Sequence, residues 1–130
     1  MPKPVHIATE LARLPMLRDR RPDTPDDEAE KAFATLAPFG NGGIFAGSFA
    51  GSSAWERHDR GDELVHVLAG ETRLTILAQN GDRELHLTAG MLTVVPQGCW
   101  HRFEAPDGVT VLTATPQPTV HSTTDPRDRR

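Results

Sequence analysis

From residue 42 onward, the chain is a succession of short apolar runs, each bounded by glycine, proline, asparagine or aspartate. Within the runs, apolar residues either alternate with polar ones or follow one another without a break, which is typical of β-strands. The predicted strands span residues 44–49, 64–68, 72–77, 83–87, 92–95, 101–104 and 109–115. Strands at a spacing of about 8–12 residues with no helices between them indicate an antiparallel sandwich or barrel.

The Asn80-Gly81 dipeptide lies between two of these predicted strands. It is a strong hairpin signal, because a two-residue turn of this type needs positive φ at both central positions. We therefore expect residues 74–77 and 85–87 to pair as a hairpin.

The two ends of the chain follow other patterns. Before the strands, two short helical patterns flank a charged, proline-containing connector at 18–25. With Thr24 as N-cap, Pro25 as first helical residue and apolar residues at helical spacing, the second pattern predicts a helix over 25–37. After Thr115 the chain becomes rich in proline and threonine and then charged, which predicts a tail along the surface or without order. We divide the chain into an appendage (1–41), a barrel (42–116) and a tail (117–130).

Length and charge narrow the function classes. A chain of 130 residues is of single-domain size, and its net charge of -4 disfavours nucleic acid, which needs a clustered basic surface. The single cysteine, Cys99, cannot form an internal disulfide, and no window approaches the ~20 apolar residues of a membrane span. The N-terminus carries no apolar stretch of signal-peptide length. These features predict a cytoplasmic protein with neither a nucleic-acid nor a membrane partner.

The stretch from Trp55 to Gly70 carries the strongest chemical signal. Glu56 and His58 are two residues apart, so in a strand their side chains share a face. A turn at 59–62 follows, and Glu63 can then begin the return strand opposite them. The spacing therefore predicts that three oxygen or nitrogen donors converge on one point.

A second stretch, from Gly90 to Phe103, places His101 shortly after a Pro96-Gln97-Gly98 turn that can aim its imidazole into the barrel. Two histidines with one or two carboxylates suit Fe(II), Mn(II), Zn(II) or Ni(II), and leave coordination positions for a substrate or water. A divalent metal ion is thus the predicted cofactor.

These two stretches resemble the two motifs of the cupin superfamily. The second motif, G-x5-P-x-G-x2-H-x3-N, is matched at four positions and fails at its last, where Ala105 replaces asparagine. The four matches are Gly90, Pro96, Gly98 and His101. Residues 44–115 are covered by the resemblance, which implies a small single-domain cupin: an all-β, double-stranded β-helix or jelly-roll barrel, here with a short helical N-terminal appendage.

The first cupin motif, G-x5-H-x-H-x3,4-E-x6-G, is matched by His58, Glu63 and Gly70. Glu56 occupies the position of the first histidine in the motif, and Ala50 occupies the position of its leading glycine. The resemblance implies that His58, Glu63 and His101 form a metal-binding triad, like that of cupin dioxygenases with two histidines and one glutamate.

Glu56 has two interpretations. It is either a fourth metal ligand or a carboxylate that orients water, and it is the one obvious acid or base beyond the triad, hence the candidate catalytic residue. Four further histidines are interpreted as surface or packing residues: His6, His66, His86 and His121. Trp55 and Trp100 are interpreted as packing residues of the core, and the alternative is an aromatic pair at the mouth of the pocket. Inward-facing positions on the predicted strands, namely Leu74, Ile76, Thr93 and Val95, suggest an apolar pocket.

The first functional hypothesis is a metal-dependent enzyme that acts on a small molecule inside the barrel. The resemblance implies a dioxygenase if the metal is iron, and an isomerase, lyase or hydrolase if it is zinc, nickel or manganese. The chain has no tyrosine, so the sugar-epimerase branch of cupins is a poor match. The alternative is a non-catalytic cupin that binds or senses a small ligand around a structural metal. A homodimer is expected, because small cupins leave a sheet edge and an apolar outer face to cover.

Overall fold

The computed structural model describes residues 2–128, and most of them lie in β-strands. The elements in chain order are α1 (Ile7–Ala12), β1 (Leu17–Arg20), α2 (Asp26–Lys31), β2 (Phe33–Phe39), β3 (Gly42–Ser52), β4 (Trp55–His58), β5 (Glu63–Ile76), β6 (Arg83–Thr88), β7 (Leu92–Val95), β8 (His101–Pro116) and β9 (Thr119–Ser122). Neither helix has the length or apolar character that crossing a membrane requires.

Two long strands, β5 and β8, organise the sheet. They pair with each other in an antiparallel ladder, while β8 also pairs with β3 and β4, and β5 also pairs with β6 and β7. Each contains two of the predicted strands, because Gly70 and Gly108 adopt positive φ within a continuous strand instead of ending it. The sheet curls into the predicted all-β jelly-roll barrel, which is confirmed.

The hydrophobic core fills the inside of the curled sheet. On β5, Val65 and Val67 are completely buried, whereas the residues that alternate with them, Leu64, His66 and Leu68, are only half-buried. This alternation is the period of two that marks a strand with one face on the core. The core cluster consists of Phe49, Val65, Val67, Leu74, Ile76, Leu87, Val95, Phe103, Ala105, Val109 and Val111.

The helix predicted over 25–37 is wrong beyond its first turns. It ends at Lys31, and residues 33–39 instead form β2, which pairs antiparallel with β3. Thr24 does not cap the helix, since its hydroxyl accepts the Arg21 backbone N–H at 2.8 Å and Pro25 occupies the N-cap position. The conformation of this segment is determined by a long-range partner, because β3 offers an open row of backbone hydrogen-bonding groups. Pairing with that row outweighs a modest helical preference.

Two short strands lie in segments where the sequence predicts none. β1 belongs to the charged connector and runs parallel to β3. β9 belongs to the segment predicted to be a surface tail, and it pairs antiparallel with β4 so that Thr119 lies opposite His58. Both strands complete hydrogen bonding at a sheet edge, a requirement that no local pattern reveals.

The predicted hairpin is present between β5 and β6, with Ile76 opposite Arg83. Its loop spans residues 77–82 and is therefore longer than the two-residue turn that Asn80-Gly81 suggests. Only Gly81 adopts positive φ, at 121°, whereas Asn80 does not. The dipeptide predicted the connection correctly but not the turn type.

Candidate metal centre

Three strands deliver the predicted ligands to one end of the barrel. Glu56 and His58 lie on β4, while Glu63 is the first residue of β5 and His101 the first of β8. Gly98 makes the turn before His101 with φ of 79°, and its N–H donates to the backbone carbonyl of His58 at 2.9 Å. That hydrogen bond ties the two motif segments together and fixes the two histidines relative to each other.

The Glu63 carboxylate lies between the two imidazoles. The distance from His101 Nε2 to Glu63 Oε1 is 3.1 Å, and that from His58 Nε2 to Glu63 Oε2 is 3.4 Å. Two ligand atoms that are each about 2.1 Å from one ion lie about 3.0–3.4 Å apart, depending on the coordination geometry. The observed distances are therefore compatible with atoms that bind one metal ion, as they are with an imidazole–carboxylate ion pair.

Three of these donor atoms are buried without a hydrogen-bond partner: His58 Nε2, His101 Nε2 and Glu63 Oε1. The side chains are only 3%, 0% and 4% exposed, so bulk solvent scarcely reaches them. Buried polar atoms in folded proteins are almost always paired, and an unpaired one costs about 1–3 kcal/mol. A divalent cation bound among the three atoms would satisfy all of them at once, so the residues present fit a metal.

The other ring nitrogens are held by the protein. His101 Nδ1 lies 3.0 Å from the Cys99 carbonyl oxygen, which can only accept, so Nδ1 carries a hydrogen and Nε2 is the nitrogen that can bind a metal when the ring is neutral. His58 Nδ1 lies 2.9 Å from Thr119 Oγ1. Metal-binding histidines in proteins are oriented in this way through their second nitrogen.

The charge state of the cluster also favours a cation. Although burial raises the pKa of Glu63, the two close imidazoles outweigh that effect and lower its pKa below the usual value. Burial lowers the pKa of His101, but the nearby Glu63 carboxylate outweighs burial and raises it. The carboxylate is thus ionised and attracts positive charge, either a proton on the imidazole or a metal ion.

Thr115 supports Glu63 from behind. Its hydroxyl donates to Glu63 Oε2 at 2.6 Å, and it lies 2.8 Å from the hydroxyl of Thr113 on the same strand.

We predict that Thr115→Val weakens metal affinity about 10–100-fold, the usual cost of losing a group that orients a ligand. Competition with a chromophoric chelator would measure it. Thr110→Val is the matched control, because Thr110 lies on β8 but bonds to Ser48; equal losses in the two variants would contradict the role of Thr115.

Glu56 lies at the edge of this cluster. Its Oε2 is 4.0 Å from His58 Nε2, its Oε1 is 3.9 Å from Arg20 Nη2, and the side chain is 16% exposed. Donor atoms of Glu56, His58 and His101 all lie within 4.8 Å of one another. The position is compatible with both predicted roles of Glu56, a fourth ligand or a carboxylate beside the metal.

An open cavity of about 410 Å³ borders the cluster and is lined by both Glu56 and Glu63. Its apolar walls include four phenylalanines, namely Phe33, Phe45, Phe49 and Phe103. None of the four residues predicted to face the pocket lines this cavity: Leu74, Ile76 and Val95 belong to the core instead, and Thr93 is half-buried on β7. A cavity of this volume is in the range of small-molecule sites.

The two tryptophans lie outside the cavity lining. Trp55 is 1% exposed, and the guanidinium of Arg102 stacks 4.8 Å from its ring centre. Trp100 is half-buried under Arg57, also at 4.8 Å. The interpretation of Trp55 as a packing residue is therefore confirmed.

Sequence reasoning missed four residues at the site: Arg20, Thr115, Thr119 and His121. Thr119 and His121 lie on β9, whose short Thr-Val-His-Ser pattern was a faint strand signal in a region interpreted as tail. His121 was interpreted as a surface residue, and it is exposed while also lining the cavity. Nothing in the sequence around Arg20 points to a site, because β1 reaches the cavity only through its pairing with β3.

Comparison with solved structures finds the same fold. A hydroquinone 1,2-dioxygenase in complex with Cd²⁺ and 4-hydroxybenzonitrile is 20% identical, with a TM-score of 0.56 over 65% of this chain and 63% of that one. The hydroquinone 1,2-dioxygenase from Sphingomonas sp. TTNP3, with 4-hydroxybenzoate bound, is 17% identical, with a TM-score of 0.57 over 66% and 65%. A cupin superfamily protein from Desulfitobacterium hafniense is 25% identical, with a TM-score of 0.56 over 66% and 76%.

The match therefore spans a little under two thirds of the length of either dioxygenase chain. None of the curated proteins matches the sequence significantly. The family model of the cupin domain matches residues 49–114, which include both histidines and both glutamates of the cluster. With the barrel, the motif glycines and the matched domain in agreement, the chain belongs to the cupin family.

Proposed function

We propose that this cupin is a metal-dependent enzyme that acts on a small molecule in the barrel. The observation that carries the proposal is the meeting of three buried, unpaired donor atoms from His58, Glu63 and His101 beside an open cavity. A purely structural metal site is usually closed by four protein ligands, whereas a catalytic one keeps a position open for water or substrate. Three donors next to a cavity correspond to an open, catalytic metal site.

His58, Glu63 and His101 would hold the ion, with Glu56 beside it. The donor set suits Fe, Mn, Zn or Ni. Bound iron would supply dioxygen chemistry, and the other metals would act as Lewis acids. Among the solved structures with this fold are two hydroquinone 1,2-dioxygenases, one carrying Cd²⁺ and one carrying 4-hydroxybenzoate, which supports a small ring-containing substrate and, with iron, a dioxygenase-like reaction.

Glu56 is the proposed acid or base. Its carboxylate lines the cavity and is partly exposed, so it can meet a substrate proton while remaining about 4.0 Å from His58. Its other oxygen lies 3.9 Å from Arg20 Nη2. A positioned general base typically contributes about 10²–10⁴-fold to rate.

A non-catalytic, ligand-binding or sensor cupin is the second candidate. It is favoured by one feature: donor atoms of Glu56 lie close enough to both histidines for a fourth ligand to close the coordination shell around a structural metal. The two candidates differ in whether Glu56 binds the metal or faces the cavity, since only an open coordination shell admits substrate.

The test begins with elemental analysis after loading with each of the four metals. We expect one ion per chain. The iron-loaded protein is then mixed with hydroquinone, and oxygen uptake is recorded against protein loaded with zinc, which cannot activate dioxygen. Failure to retain any of the metals would refute the proposal, whereas stoichiometric metal without turnover of either hydroquinone or ring-containing carboxylates would favour the sensor.

We further propose that two copies associate through the outer face around β7. Met91, Leu92 and Val94 are 48%, 60% and 48% exposed, and the strand register places Leu92 and Val94 beside His66 and Leu64 on β5. A group of exposed apolar side chains of this kind is a candidate interface.

We expect sedimentation velocity to show a dimer of the 14.2 kDa chain at micromolar concentration. Leu92→Glu combined with Val94→Glu should give a monomer, because two buried charges oppose association. The control is Phe39→Glu, which changes an equally exposed apolar residue, 62% exposed, on β2 at the far edge of the sheet. A monomeric wild-type protein would contradict the proposal.

A further inference from the structure

Arg20 is a buried cation in the wall of the cavity. It is the last residue of β1, its side chain is 13% exposed, and it lines the same cavity as Glu56 and Glu63. Its guanidinium stacks on the ring of Phe49 at 4.5 Å and lies 5.7 Å from the ring of Phe33. The two rings hold the planar group in place without occupying its hydrogen-bond donors.

Those donors lack an acceptor within the part of the chain that the structure describes. The nearest carboxylate oxygen is Glu56 Oε1 at 3.9 Å from Nη2, which is beyond hydrogen-bond range. A guanidinium has five N–H donors in a rigid fork that matches a carboxylate in two parallel hydrogen bonds. The side chain is 13% exposed and lines the cavity, so its free donors are accessible from there, and a ligand carboxylate in the cavity can supply the acceptor.

The charges around the cavity indicate the sign of that ligand. This step rests on the proposed function, because it includes the metal. A divalent ion is balanced by the carboxylates of Glu63 and Glu56, which leaves the charge of Arg20 uncompensated. Asp26 and Glu30 also line the cavity, but both are exposed on α2, where water screens them. One negative charge on the substrate would balance the positive charge of Arg20 in the inner part of the cavity.

The apolar walls indicate the rest of the ligand. Phenylalanines 33, 45, 49 and 103 surround the space next to Arg20, so an aliphatic or aromatic body of ring size would be buried against them. We propose that Arg20 anchors the carboxylate of the substrate, and that the substrate is a small monocarboxylate with an apolar, ring-sized body. β1 thereby contributes the residue that selects charge, although it lies outside the residues that match the cupin domain.

The test is calorimetric titration of the zinc-loaded and the metal-free protein with benzoate and with its neutral counterpart benzamide. We expect zinc-loaded protein to bind benzoate more tightly than benzamide. Arg20→Gln should weaken benzoate binding about 10–100-fold, as expected for loss of a charge-assisted hydrogen-bonded pair, and leave benzamide binding and zinc content unchanged. Arg20→Lys should recover only part of the loss, since an ammonium does not reproduce the fork. Arg18→Gln, an exposed arginine on the same strand, is the matched control and should bind like wild type.

The metal-free arm separates this proposal from the proposed function. There, Glu56→Gln should bind benzoate more tightly than wild type, because it removes the carboxylate nearest to Arg20. That result would support the anchor even if the protein retained no metal.

Equal binding of benzoate and benzamide would overturn the proposal, and so would benzoate binding that survives Arg20→Gln and requires zinc, since the carboxylate would then coordinate the metal directly. Absence of benzoate binding to wild type at millimolar concentration in both forms would also overturn it. If Arg20→Gln fails to fold, Arg20→Lys and Glu56→Gln carry the test.

Discussion

Replacing either His58 or His101 with alanine should strip the metal from this protein. Both imidazoles direct an unpaired, buried Nε2 toward the Glu63 carboxylate, so each is expected to supply one bond to the ion. A ligand present at 100–1,000 times its Kd stabilises the folded state by about 2.7–4.1 kcal/mol. For a chain of this size, that corresponds to a rise in Tm of roughly 10 °C on metal loading.

The measurement is the change in Tm on loading, together with metal content. Wild type should show the full rise, and both alanine variants should show none, whatever their own starting stability. His86→Ala is the control: this exposed histidine bonds only to Glu71 at the surface, an interaction worth about 0–1 kcal/mol, so its variant should load normally. Unchanged metal content in both His58→Ala and His101→Ala would remove the two histidines from the ligand set.

The two glutamates should behave differently from each other. Glu63→Gln should lose most of the metal, because it removes the charge of a 4% exposed carboxylate that lies between both imidazoles. Glu56→Gln should keep most of the metal, because one carboxylate oxygen of Glu56 lies 4.0 Å from His58 Nε2 and the other faces Arg20. It should nevertheless lower turnover by about 10²–10⁴-fold, as loss of a general base does.

Metal content by elemental analysis and turnover by oxygen uptake would be recorded on the same preparations. Glu71→Gln serves as the control, since this exposed carboxylate on β5 contacts His86 and lies away from the cavity. If Glu56→Gln loses as much metal as Glu63→Gln, then Glu56 is a full ligand. That outcome would favour a closed shell and the sensing alternative over catalysis.

The ends of the chain complete the proposed site. β9 supplies Thr119, which orients His58, and β1 supplies Arg20, while the cupin domain match covers only residues 49–114. The barrel thus provides the proposed metal ligands, and the added strands provide a wall of the cavity and the residue that fixes one imidazole. In this arrangement, the proposed substrate preference resides mainly in segments outside the matched domain.

The sequence by itself determined the barrel and its inner chemistry. Period-two runs bounded by turn residues specify strands locally, because each side-chain face and each turn depends on neighbouring residues. Glu56 and His58 could be placed on one face from a spacing of two, and the Pro-x-Gly turn before His101 follows from the conformations those residues allow. The four side chains that the sequence predicts to cluster do lie together in the structure.

Tertiary structure alone decided what surrounds that cluster. Residues 33–37 belong to the predicted helix but form part of β2, since the edge of β3 satisfies their backbone groups. Thr115 and Glu63 are brought together from 52 positions apart, and Arg20 reaches Glu56 only because β1 aligns with β3. These contacts depend on which sheet edges remain unpaired after the barrel closes, and that is a property of the whole fold that no local stretch of sequence encodes.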